Sequence, residues 1–472
     1  MAEVTVVGGG LAGCEAAWQL AARGHHVTLV EMRPVRQTPA HQTDRLAELV
    51  CTNSFKSEDP TNAHGLLKGE MRALGSILLD AAQAARVPAG AALAVDREVF
   101  AAEMTARIES HPNIRIERRE VTALPEGPAI IASGPLTSPQ LTREIQRLLG
   151  EQGLAFYDAI APIVSFESIN LEIAYFLSRW GKGDGSDYLN CPLDRDQYYA
   201  FLTALREAEI YPGHEWEGIV IDGEAPPAKD PADDVACANP LDPEVPYFEG
   251  CLPIEVMAAR GDDTLRYGPM RPIGLRDPRT GKTPYAVVQL RREDRAGQMW
   301  NIVGFQTRLR TGAQRRVFRM IPGLEEAEFL RYGSIHRNTY LNFPAHLAPY
   351  GAPAGRPDLI FAGQLTGVEG YTESAASGIL AGVNLDRILR GLDPVLPPPT
   401  TMLGGLYRYL READPNEFAP MNSNFGLLDP LANPARDKNE RRRQLAERGA
   451  ADFQRWLAEN GIEPARIAAK VG

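Results

Sequence analysis

The stretch that most constrains the fold of this chain is residues 4–31, VTVVGGGLAGCEAAWQLAARGHHVTLVE. Its first four residues are apolar or β-branched, which is typical of a buried strand in a parallel sheet. Gly8, Gly10 and Gly13 follow at the G-x-G-x-x-G spacing, which permits a tight turn, close approach of a pyrophosphate and close helix packing, in that order. Glu31 ends a second apolar strand, where a carboxylate can accept hydrogen bonds from a ribose diol. This order of strand, turn, helix, strand and acid predicts a dinucleotide site.

A stretch near the other end of the chain indicates which dinucleotide binds. Residues 358–364, DLIFAGQ, form an apolar strand that ends in Ala-Gly, and a glycine-containing turn at 367–370 precedes a helix over 374–390. Two-part flavoproteins hold the ribityl chain and the isoalloxazine with a return of this kind, which is an analogy at the level of the fold. The analogy favours FAD over NAD as the resident cofactor.

The length of 472 residues is too great for one hydrophobic core and predicts two or three domains. We predict an α/β fold, in which a Rossmann-like FAD-binding domain of the two-part flavoprotein type carries an inserted α+β substrate domain. The first part of the FAD-binding domain spans residues 1–160, the insertion spans 161–335, and the second part, with a polar helical tail, spans 336–472. Within the first part, residues 65–85 predict one long amphipathic helix.

The sequence predicts a cytoplasmic protein that does not enter a membrane. No apolar run approaches the ~20 residues of a membrane span. Glu3 stands where a signal peptide has its basic region, and the glycine turn interrupts the apolar run. With no export signal, the cytoplasm is the expected compartment.

The five cysteines are scattered and contain no C-x-x-C pair, so we expect neither a disulfide framework nor a metal site. Cys251 lies between Gly250 and Pro253, and this proline suits the start of a helix. The positive end of a helix dipole favours a thiolate, which is a physical reason to prefer Cys251 as a nucleophile. Cys51 follows the segment after the ribose acid. Its position alone leaves open whether it lies over the flavin or is a small buried hydrophobic residue.

The net charge of −11 does not exclude a nucleic-acid partner, because a local basic surface can still bind phosphates. Two regions are locally basic: residues 308–319, with five arginines, and residues 436–443, with Lys438 and a run of three arginines. Taken alone, each region is more often a solvated face than an RNA site.

Eight segments together carry a resemblance to one family. They are GGGLAGCEAA, VCTNSF, YFEGCLPIEVMA, LRYGPMRPIGL, VGFQTRL, RVFRMIPGLEEAEFLRYGSIHRNTY, FAGQLTGVEGYTESAASG and PMNSNFGLL. The chain resembles the folate- and FAD-dependent tRNA (uracil-5-)-methyltransferases of bacteria from residue 1 to about residue 430. The GCLPIE and SIHRNTY blocks are far more specific than the dinucleotide motif. The loop at 225–243 and the arginine-rich tail match no part of the family's pattern.

The resemblance implies that the protein makes ribothymidine at uridine 54 in the T-loop of tRNA. Its partners are then the T-arm of tRNA, 5,10-methylenetetrahydrofolate as the one-carbon donor, and NAD(P)H, which recharges the FAD that supplies electrons. Carbon 5 of uracil is a poor nucleophile, and addition of a thiolate at carbon 6 activates it. A base must then remove the carbon 5 proton before the thiol leaves.

The resemblance also assigns residues. It implies that Cys251 is the nucleophile and that Cys51 lies beside the flavin as the base or proton handler, although the division of roles is less certain than the pair. Residues at cofactor positions are Gly8, Gly9, Gly10, Leu11, Ala12, Gly13, Glu31, Gly363 and Gln364. Weaker candidates for contacts with folate or uracil are Arg271, His336, Arg337 and Tyr371. Residues 308–319 lie within the match, so we expect them to contribute more to RNA binding than the tail.

Three alternatives stay open on the sequence. One is the related FAD- and folate-using enzyme that modifies the wobble uridine, which is longer and carries a large C-terminal helical region. Another is an FAD-dependent oxidoreductase of small molecules, which needs no pair of cysteines in separate domains. The last is a tRNA-binding flavoprotein without catalytic activity, in which the cysteines could be replaced freely.

Overall fold

The computed structural model describes residues 1–38, 40–150, 154–181, 185, 187–210 and 252–466, with backbone alone at 154–160 and 334–339. The chain divides into two compact units. Unit 1 comprises Met1–Ala155 and Thr339–Gly472, and unit 2 comprises Phe156–Asn338. These divisions fall within a few residues of the boundaries that the sequence predicts at 160 and 335, and the roles of the two units stay predictions.

Unit 1 is built on a parallel sheet of five strands in the order β16-β7-β1-β2-β6. Its strands are β1 Glu3–Val7, β2 His26–Glu31, β6 Ile114–Arg118, β7 Ala129–Ile131 and β16 Leu359–Phe361. The end of β1 pairs with both neighbours, since Val7 lies opposite Val30 of β2 and Ile131 of β7. The C-terminal strand β16 completes the sheet beside β7. The predicted Rossmann-like parallel sheet is thus confirmed.

The other elements of unit 1 are helices around this sheet and a small antiparallel sheet in the order β3-β5-β4. The strands are β3 Ser54–Ser57, β4 Arg86–Val87 and β5 Ala92–Val95. The helices are α1 Leu11–Ala22, α2 Ala63–Ala73, α3 Ile77–Ala84, α4 Arg97–Glu109, α5 Pro139–Leu149, α10 Phe343–His346, α11 Tyr371–Leu389, α12 Met402–Glu412 and α13 Lys438–Glu459.

The single helix predicted over residues 65–85 is wrong, because the segment forms two helices, α2 and α3. Gly75 separates them with a φ of +78°, and a Cβ there would overlap the carbonyl oxygen of Ala465. Ser76 then caps α3, with its Oγ accepting a hydrogen bond from the Leu79 N–H at 3.3 Å. The amphipathic pattern continues across the break, so periodicity alone does not reveal it.

Helix α11 reaches the site because it packs directly against α1. A Cβ at Gly378 would overlap the carbonyl oxygen of Ala12, and a Cβ at Gly382 would lie 2.8 Å from the Cβ of Gln19. These two glycines remove the side chains that would separate the helices. The part of α11 around Gly378 therefore lies against the first turn of α1, although the two helices are far apart in the sequence.

Unit 2 contains an antiparallel sheet in the order β10-β11-β12-β13-β9-β14. The strands of unit 2 are β9 Ile163–Ser165, β10 Tyr175–Phe176, β11 Tyr188–Leu193, β12 Ala286–Arg292, β13 Met299–Ile302 and β14 Phe329–Arg331. Its helices are α6 Arg195–Arg206, α7 Ile254–Ala259, α8 Thr264–Tyr267 and α9 Thr311–Phe318. A separate pair, β8 Leu154–Ile160 and β15 Ser334–Tyr340, carries the chain between the units. This antiparallel sheet with helices agrees with the predicted α+β insertion.

The core of unit 2 is rich in aromatic residues. Trp300, Tyr198, Phe201, Phe305 and Phe318 are all fully buried. They belong to one hydrophobic cluster, in which Phe305 forms close ring pairs with Phe201 and Phe318. Among the helices of the described ranges, none is long and apolar enough to cross a membrane.

Candidate active site

Two glycines of the turn between β1 and α1 are required by the protein's own packing. Gly8 has a φ of +105°, and a Cβ there would overlap the carbonyl oxygen of Ala132. A Cβ at Gly13 would overlap the carbonyl oxygen of Gly8, so no side chain fits between the turn and the helix. Gly10 differs, because a Cβ at this position would meet no protein atom within 4 Å. The open space in front of Gly10 lets a ligand approach the backbone.

A cavity opens in front of this turn, at the carboxyl ends of the parallel strands β1, β2, β7 and β16. About 1050 Å³ within it, including open solvent at its mouth, is free of protein atoms, compared with roughly 300–1,000 Å³ for ligand pockets in general. Most of the predicted cofactor residues line it, together with Tyr371: Gly8, Gly10, Leu11, Ala12, Glu31, Gly363 and Gln364. The remaining two, Gly9 and Gly13, shape the turn.

Glu31 lies at the end of β2 with both carboxylate oxygens engaged. Oε2 accepts a hydrogen bond from the Gly9 N–H at 2.9 Å, and Oε1 accepts one from Nε of Arg33 at 2.9 Å. Burial opposes ionisation of Glu31, but the hydrogen bonds and charge of Arg33 outweigh it and hold the pKa below its ordinary value. Glu31 is therefore a carboxylate at neutral pH, as ribose recognition requires.

Arg33 is a functional residue that the sequence reasoning missed. Its side chain is 2% exposed, and its Nη1 lies 3.0 Å from Oε2 of Glu48. The guanidinium thus bridges two carboxylates and fixes the loop after β2 against the cavity. The only local signal for this role is the position of an arginine two residues after the ribose acid.

The cavity fits the ADP half of FAD. The first N–H groups of a helix have no partner within the helix, and they attract anions together with the helix dipole. Leu11 and Ala12 place these groups of α1 at the cavity wall beside the open space of Gly10. Glu31 lies at the neighbouring strand end, at the position where a ribose diol binds in this fold. Pyrophosphate and ribose recognition are therefore both available in one cavity.

The segment that carries Cys51 is held at the edge of this cavity by two residues from elsewhere in unit 1. The hydroxyl of Tyr371 accepts hydrogen bonds from the N–H groups of Cys51 at 2.7 Å and Thr52 at 3.2 Å. Arg97 donates from its two terminal nitrogens to the carbonyl oxygens of Leu49 and Cys51, each at 3.0 Å. Val50 and Tyr371 both line the cavity. The Cys51 segment thus lies at the edge of the cavity, and Cys51 is partly buried, while its place beside the flavin stays a prediction.

Replacement of Tyr371 by phenylalanine is expected to lower kcat while FAD stays bound. The change leaves the N–H groups of Cys51 and Thr52 without their acceptor, and an unmade hydrogen bond of this kind costs about 1–3 kcal/mol. We expect a fall in kcat of roughly ten- to a hundredfold in the methylation assay. Tyr409→Phe is the matched control, because that hydroxyl donates to the carbonyl oxygen of Ala419 at 2.7 Å. Equal losses in both variants would contradict a positioning role for Tyr371.

Glu373 lies two residues beyond Tyr371, in the first turn of α11, and is fully buried. Its Oε1 accepts a hydrogen bond from the Ser423 N–H at 3.0 Å and lies 3.3 Å from Nδ1 of His64. Burial opposes the charge, but His64 and Lys56 outweigh it and hold the pKa of Glu373 at about 2. A buried carboxylate thus joins α11, α2 and the segment around Ser423.

Glu373→Gln is expected to destabilise the fold in a pH-dependent way. A depressed pKa stabilises the folded state above the ordinary value of 4.5, and this stabilisation is lost as the pH falls toward 2. The depressed pKa of Glu373 corresponds to about 3 kcal/mol of folding stability at pH 7. The loss of unfolding free energy in Glu373→Gln, relative to wild type, should therefore be smaller at pH 4 by about 1 kcal/mol. Urea unfolding at both pH values measures this, with exposed Glu412→Gln as the control. If Glu373→Gln lowers the free energy of unfolding by the same amount at both pH values, the depressed pKa of Glu373 is contradicted.

Cys251 lies outside the described residues, and the structure describes the chain from Leu252 onward. Helix α7 begins at Ile254, with Pro253 at the N-cap, in agreement with the predicted helix start. The buried carboxylate of Glu255 accepts hydrogen bonds from Oγ1 of Thr307 at 2.8 Å and from the Arg308 N–H at 2.9 Å. Burial raises the pKa of Glu255. Glu255 of the GCLPIE block therefore contacts Thr307 and Arg308 of the VGFQTRL block.

The weaker substrate candidates fall in different places. Arg271 is exposed in unit 2, and its carbonyl oxygen accepts a hydrogen bond from Arg179 Nη2 at 2.9 Å. His336 and Arg337 lie on β15, and their side chains are outside the described atoms. Tyr371 lines the cavity together with the predicted cofactor residues. The described residues contain no cluster of His, Cys, Asp or Glu that could hold a metal ion.

The chain is similar to known proteins over most of its length. The family model described as "Glucose inhibited division protein A" matches residues 3–393. A protein of Geobacter sulfurreducens named "Methylenetetrahydrofolate--tRNA-(uracil-5-)-methyltransferase TrmFO" is 52% identical over 456 residues, which cover 96% of this chain and 99% of the relative. A Moorella thermoacetica protein of the same name is 53% identical over 447 residues, with coverages of 94% and 96%.

Among solved structures, GidA of Aquifex aeolicus in the form I crystal superposes with a TM-score of 0.64 at 17% identity. The superposition covers 96% of this chain and 75% of that one. At this level of identity the likeness concerns the fold alone. It agrees with the parallel sheet of unit 1 and the additional antiparallel sheet of unit 2.

Proposed function

Because the chain belongs to the methylenetetrahydrofolate–tRNA-(uracil-5-)-methyltransferase family TrmFO, we propose that it methylates carbon 5 of uridine 54 in the T-loop of tRNA. The observation that carries the proposal is identity of about half over nearly the whole length of both chains. The cosubstrates are 5,10-methylenetetrahydrofolate, which donates the carbon, and NAD(P)H. FAD, when bound and reduced, supplies the two electrons that turn a methylene unit into a methyl group.

We propose the following contacts for the cofactor. Glu31 accepts hydrogen bonds from the ribose of the ADP half, and the backbone at Gly10, Leu11 and Ala12 binds the pyrophosphate. Gly363 and Gln364 contact the other half of FAD, since they follow β16 and line the same cavity. The open space at Gly10 and the ionised Glu31 support this placement.

We propose that the two cysteines divide the work on uracil. Cys251 adds to carbon 6 as a thiolate, which makes carbon 5 nucleophilic toward the one-carbon unit. Cys51 then handles the carbon 5 proton, after which the thiol leaves. Tyr371 and Arg97 are positioning residues, because they hold the backbone of the Cys51 segment. Arg271, His336 and Arg337 are proposed to contact folate or uracil.

We further propose that unit 2 is the substrate and tRNA domain, as its insertion into the flavin fold suggests. The proposed compartment is the cytoplasm, because the tRNA substrate is found there. Neither a wobble-uridine enzyme nor an oxidoreductase of small molecules is proposed. The similarity to GidA extends only to the fold, whereas the TrmFO relatives match in length as well as in sequence.

The proposal is tested by a trapping experiment with a T-arm minihelix that carries 5-fluorouridine at position 54. Fluorine cannot leave as a proton does, so an enzyme that works through carbon 6 addition stays attached to the RNA. We expect mass spectrometry of the purified protein with its cosubstrates to show a covalent adduct of protein and RNA. A minihelix with uridine 54 replaced by cytidine is the control. Absence of the adduct, with RNA binding intact, would contradict the proposal.

A further inference from the structure

A groove in unit 1 is not explained by the proposed chemistry. It lies between the N-terminal part of α13, the N-terminus of α2 and the segment 423–425, and about 890 Å³ within it, including open solvent, is free of protein atoms. Lys438, Arg441 and Arg442 line one wall. Residues three and four positions apart share one face of a helix, so these three cations point to the same side of α13.

The three cations of the groove differ from their neighbour Arg443 in their pairing. Arg443 lies 2.6 Å from carboxylate oxygens of both Glu440 and Glu447, which neutralise it. Within the part of the chain that the structure describes, Lys438, Arg441 and Arg442 form no ion pair. Helix α13 thus carries a paired charge on one side and an unpaired cationic row on the side of the groove.

The buried hydroxyl of Ser423 is independent evidence that the groove binds a ligand. The residue is 3% exposed and lines the groove, and its Oγ has no hydrogen-bond partner among the described residues. Leaving a buried hydroxyl unsatisfied costs about 1–3 kcal/mol, so a bound acceptor in the groove would remove this cost. Helix α2 also directs its N-terminus at the groove, and the positive end of its dipole favours an anion.

The groove is connected to the Cys51 segment by short contacts within unit 1. The Ser423 N–H donates to Glu373 at 3.0 Å, and Glu373 lies one position beyond Thr372 in the first turn of α11. Tyr371, at the start of the same turn, accepts the hydrogen bond from the Cys51 N–H. The first turn of α11 therefore contacts both Ser423 of the groove and the backbone of Cys51.

We propose that this groove binds the phosphodiester backbone of the RNA substrate. The inference rests on the proposed methylation of tRNA and adds a phosphate-binding surface to it. An open groove with a row of unpaired cations suits a chain of phosphates. The 2′-phosphate of NADPH shares this chemistry, and the experiment below distinguishes the two sources.

The proposal reverses the ranking of the two basic regions that the sequence suggests. In the 308–319 region, Arg308 is buried and its charge acts on Glu255, and Arg316 lies 2.7 Å from Oε2 of Glu209. Arg319 donates to the carbonyl oxygen of Ala327 at 3.0 Å. Arg316 is thus ion-paired and Arg308 is buried within unit 2, whereas Lys438, Arg441 and Arg442 are exposed and form no ion pair among the described residues.

The test compares tRNA binding by wild type, Arg442→Gln and the triple variant Lys438→Gln/Arg441→Gln/Arg442→Gln over a range of salt concentrations. Each lost phosphate contact should lower the slope of log Kd against log salt by about one. We expect the triple variant to bind tRNA at least about tenfold more weakly, with a slope lower by about two to three. Arg443→Gln, which removes a paired charge from the same helix, is the control and should stay near wild type. Ser423→Ala should weaken binding severalfold without changing the slope, because the hydroxyl is neutral.

Methylation and NAD(P)H oxidation are measured in parallel, so that a wrong assignment of the groove can be distinguished from a wrong proposed function. The triple variant should raise the KM for tRNA and leave the KM for NADPH and NADH unchanged. If wild type methylates tRNA and the triple variant keeps the wild-type Kd and salt slope, the groove is not an RNA site and the proposed function stands. A higher KM for NADPH with unchanged tRNA binding would assign the groove to the nucleotide and overturn the RNA assignment. If wild type itself fails to methylate tRNA, the proposed function is wrong.

Discussion

Cys251→Ala is expected to lower methyl transfer by several powers of ten and to abolish the adduct with 5-fluorouridine RNA. Removing a covalent nucleophile deletes the reaction pathway, whereas removing one contact only weakens it. Cys51→Ala should behave differently, because thiolate addition at carbon 6 precedes removal of the carbon 5 proton. This variant should still form the carbon 6 adduct and should fail to release product. The two variants therefore stop at different points of one sequence of steps.

The measurement is mass spectrometry of each variant with the 5-fluorouridine minihelix, together with the visible spectrum of bound FAD. Cys191→Ala is the matched control in unit 2, because burial raises the pKa of that thiol to about 12 and leaves it protonated at neutral pH. It should keep both the adduct and the activity. A persistent adduct in Cys251→Ala that disappears in Cys51→Ala would reverse the two roles.

Gly10→Val is expected to yield folded protein without flavin. The backbone at Gly10 has φ −79° and ψ −169°, which valine adopts readily, and its Cβ would meet no protein atom. The added side chain therefore projects into the open space that the pyrophosphate is proposed to fill. We expect purified Gly10→Val to lack the yellow colour and visible absorbance of FAD.

The same substitution at a second glycine gives the control. Gly69 lies exposed on α2, and a Cβ there also meets no protein atom. Gly69→Val should bind FAD as wild type does, and circular dichroism should show both variants folded. A folded Gly10→Val protein with full FAD content would rule out the proposed pyrophosphate position.

The dinucleotide turn could be predicted because all its determinants lie in one local stretch. The strand, the glycine spacing, the helix and Glu31 fall within residues 4–31, and the required conformation of Gly8 follows from that spacing. The return of the chain at β16 was predicted by analogy, and the sheet order confirms it. Family resemblance then supplied the reaction, which the relatives support.

Contacts between distant segments could not be predicted in this way. Tyr371 and Cys51 are 320 positions apart, and no sequence pattern in either segment predicts their hydrogen bond. Ion pairing within α13 could not be predicted either. The sequence of the tail shows one basic run, whereas among the described residues Arg443 is ion-paired and Arg442 is not. The break at Gly75 depends on the backbone of Ala465, which lies near the other end of the chain. In each case the deciding partner is set by tertiary packing.

The most direct test of the central claim follows the methylene carbon itself. The purified protein is incubated with 5,10-methylenetetrahydrofolate labelled with ¹³C at the methylene carbon, NAD(P)H and a T-arm minihelix, and the RNA is then analysed by mass spectrometry. The account predicts one labelled methyl group on carbon 5 of uridine 54, and none when either the folate or NAD(P)H is omitted. An unlabelled methyl group, a label at another nucleotide, or no methylation by fully flavin-loaded protein would contradict it.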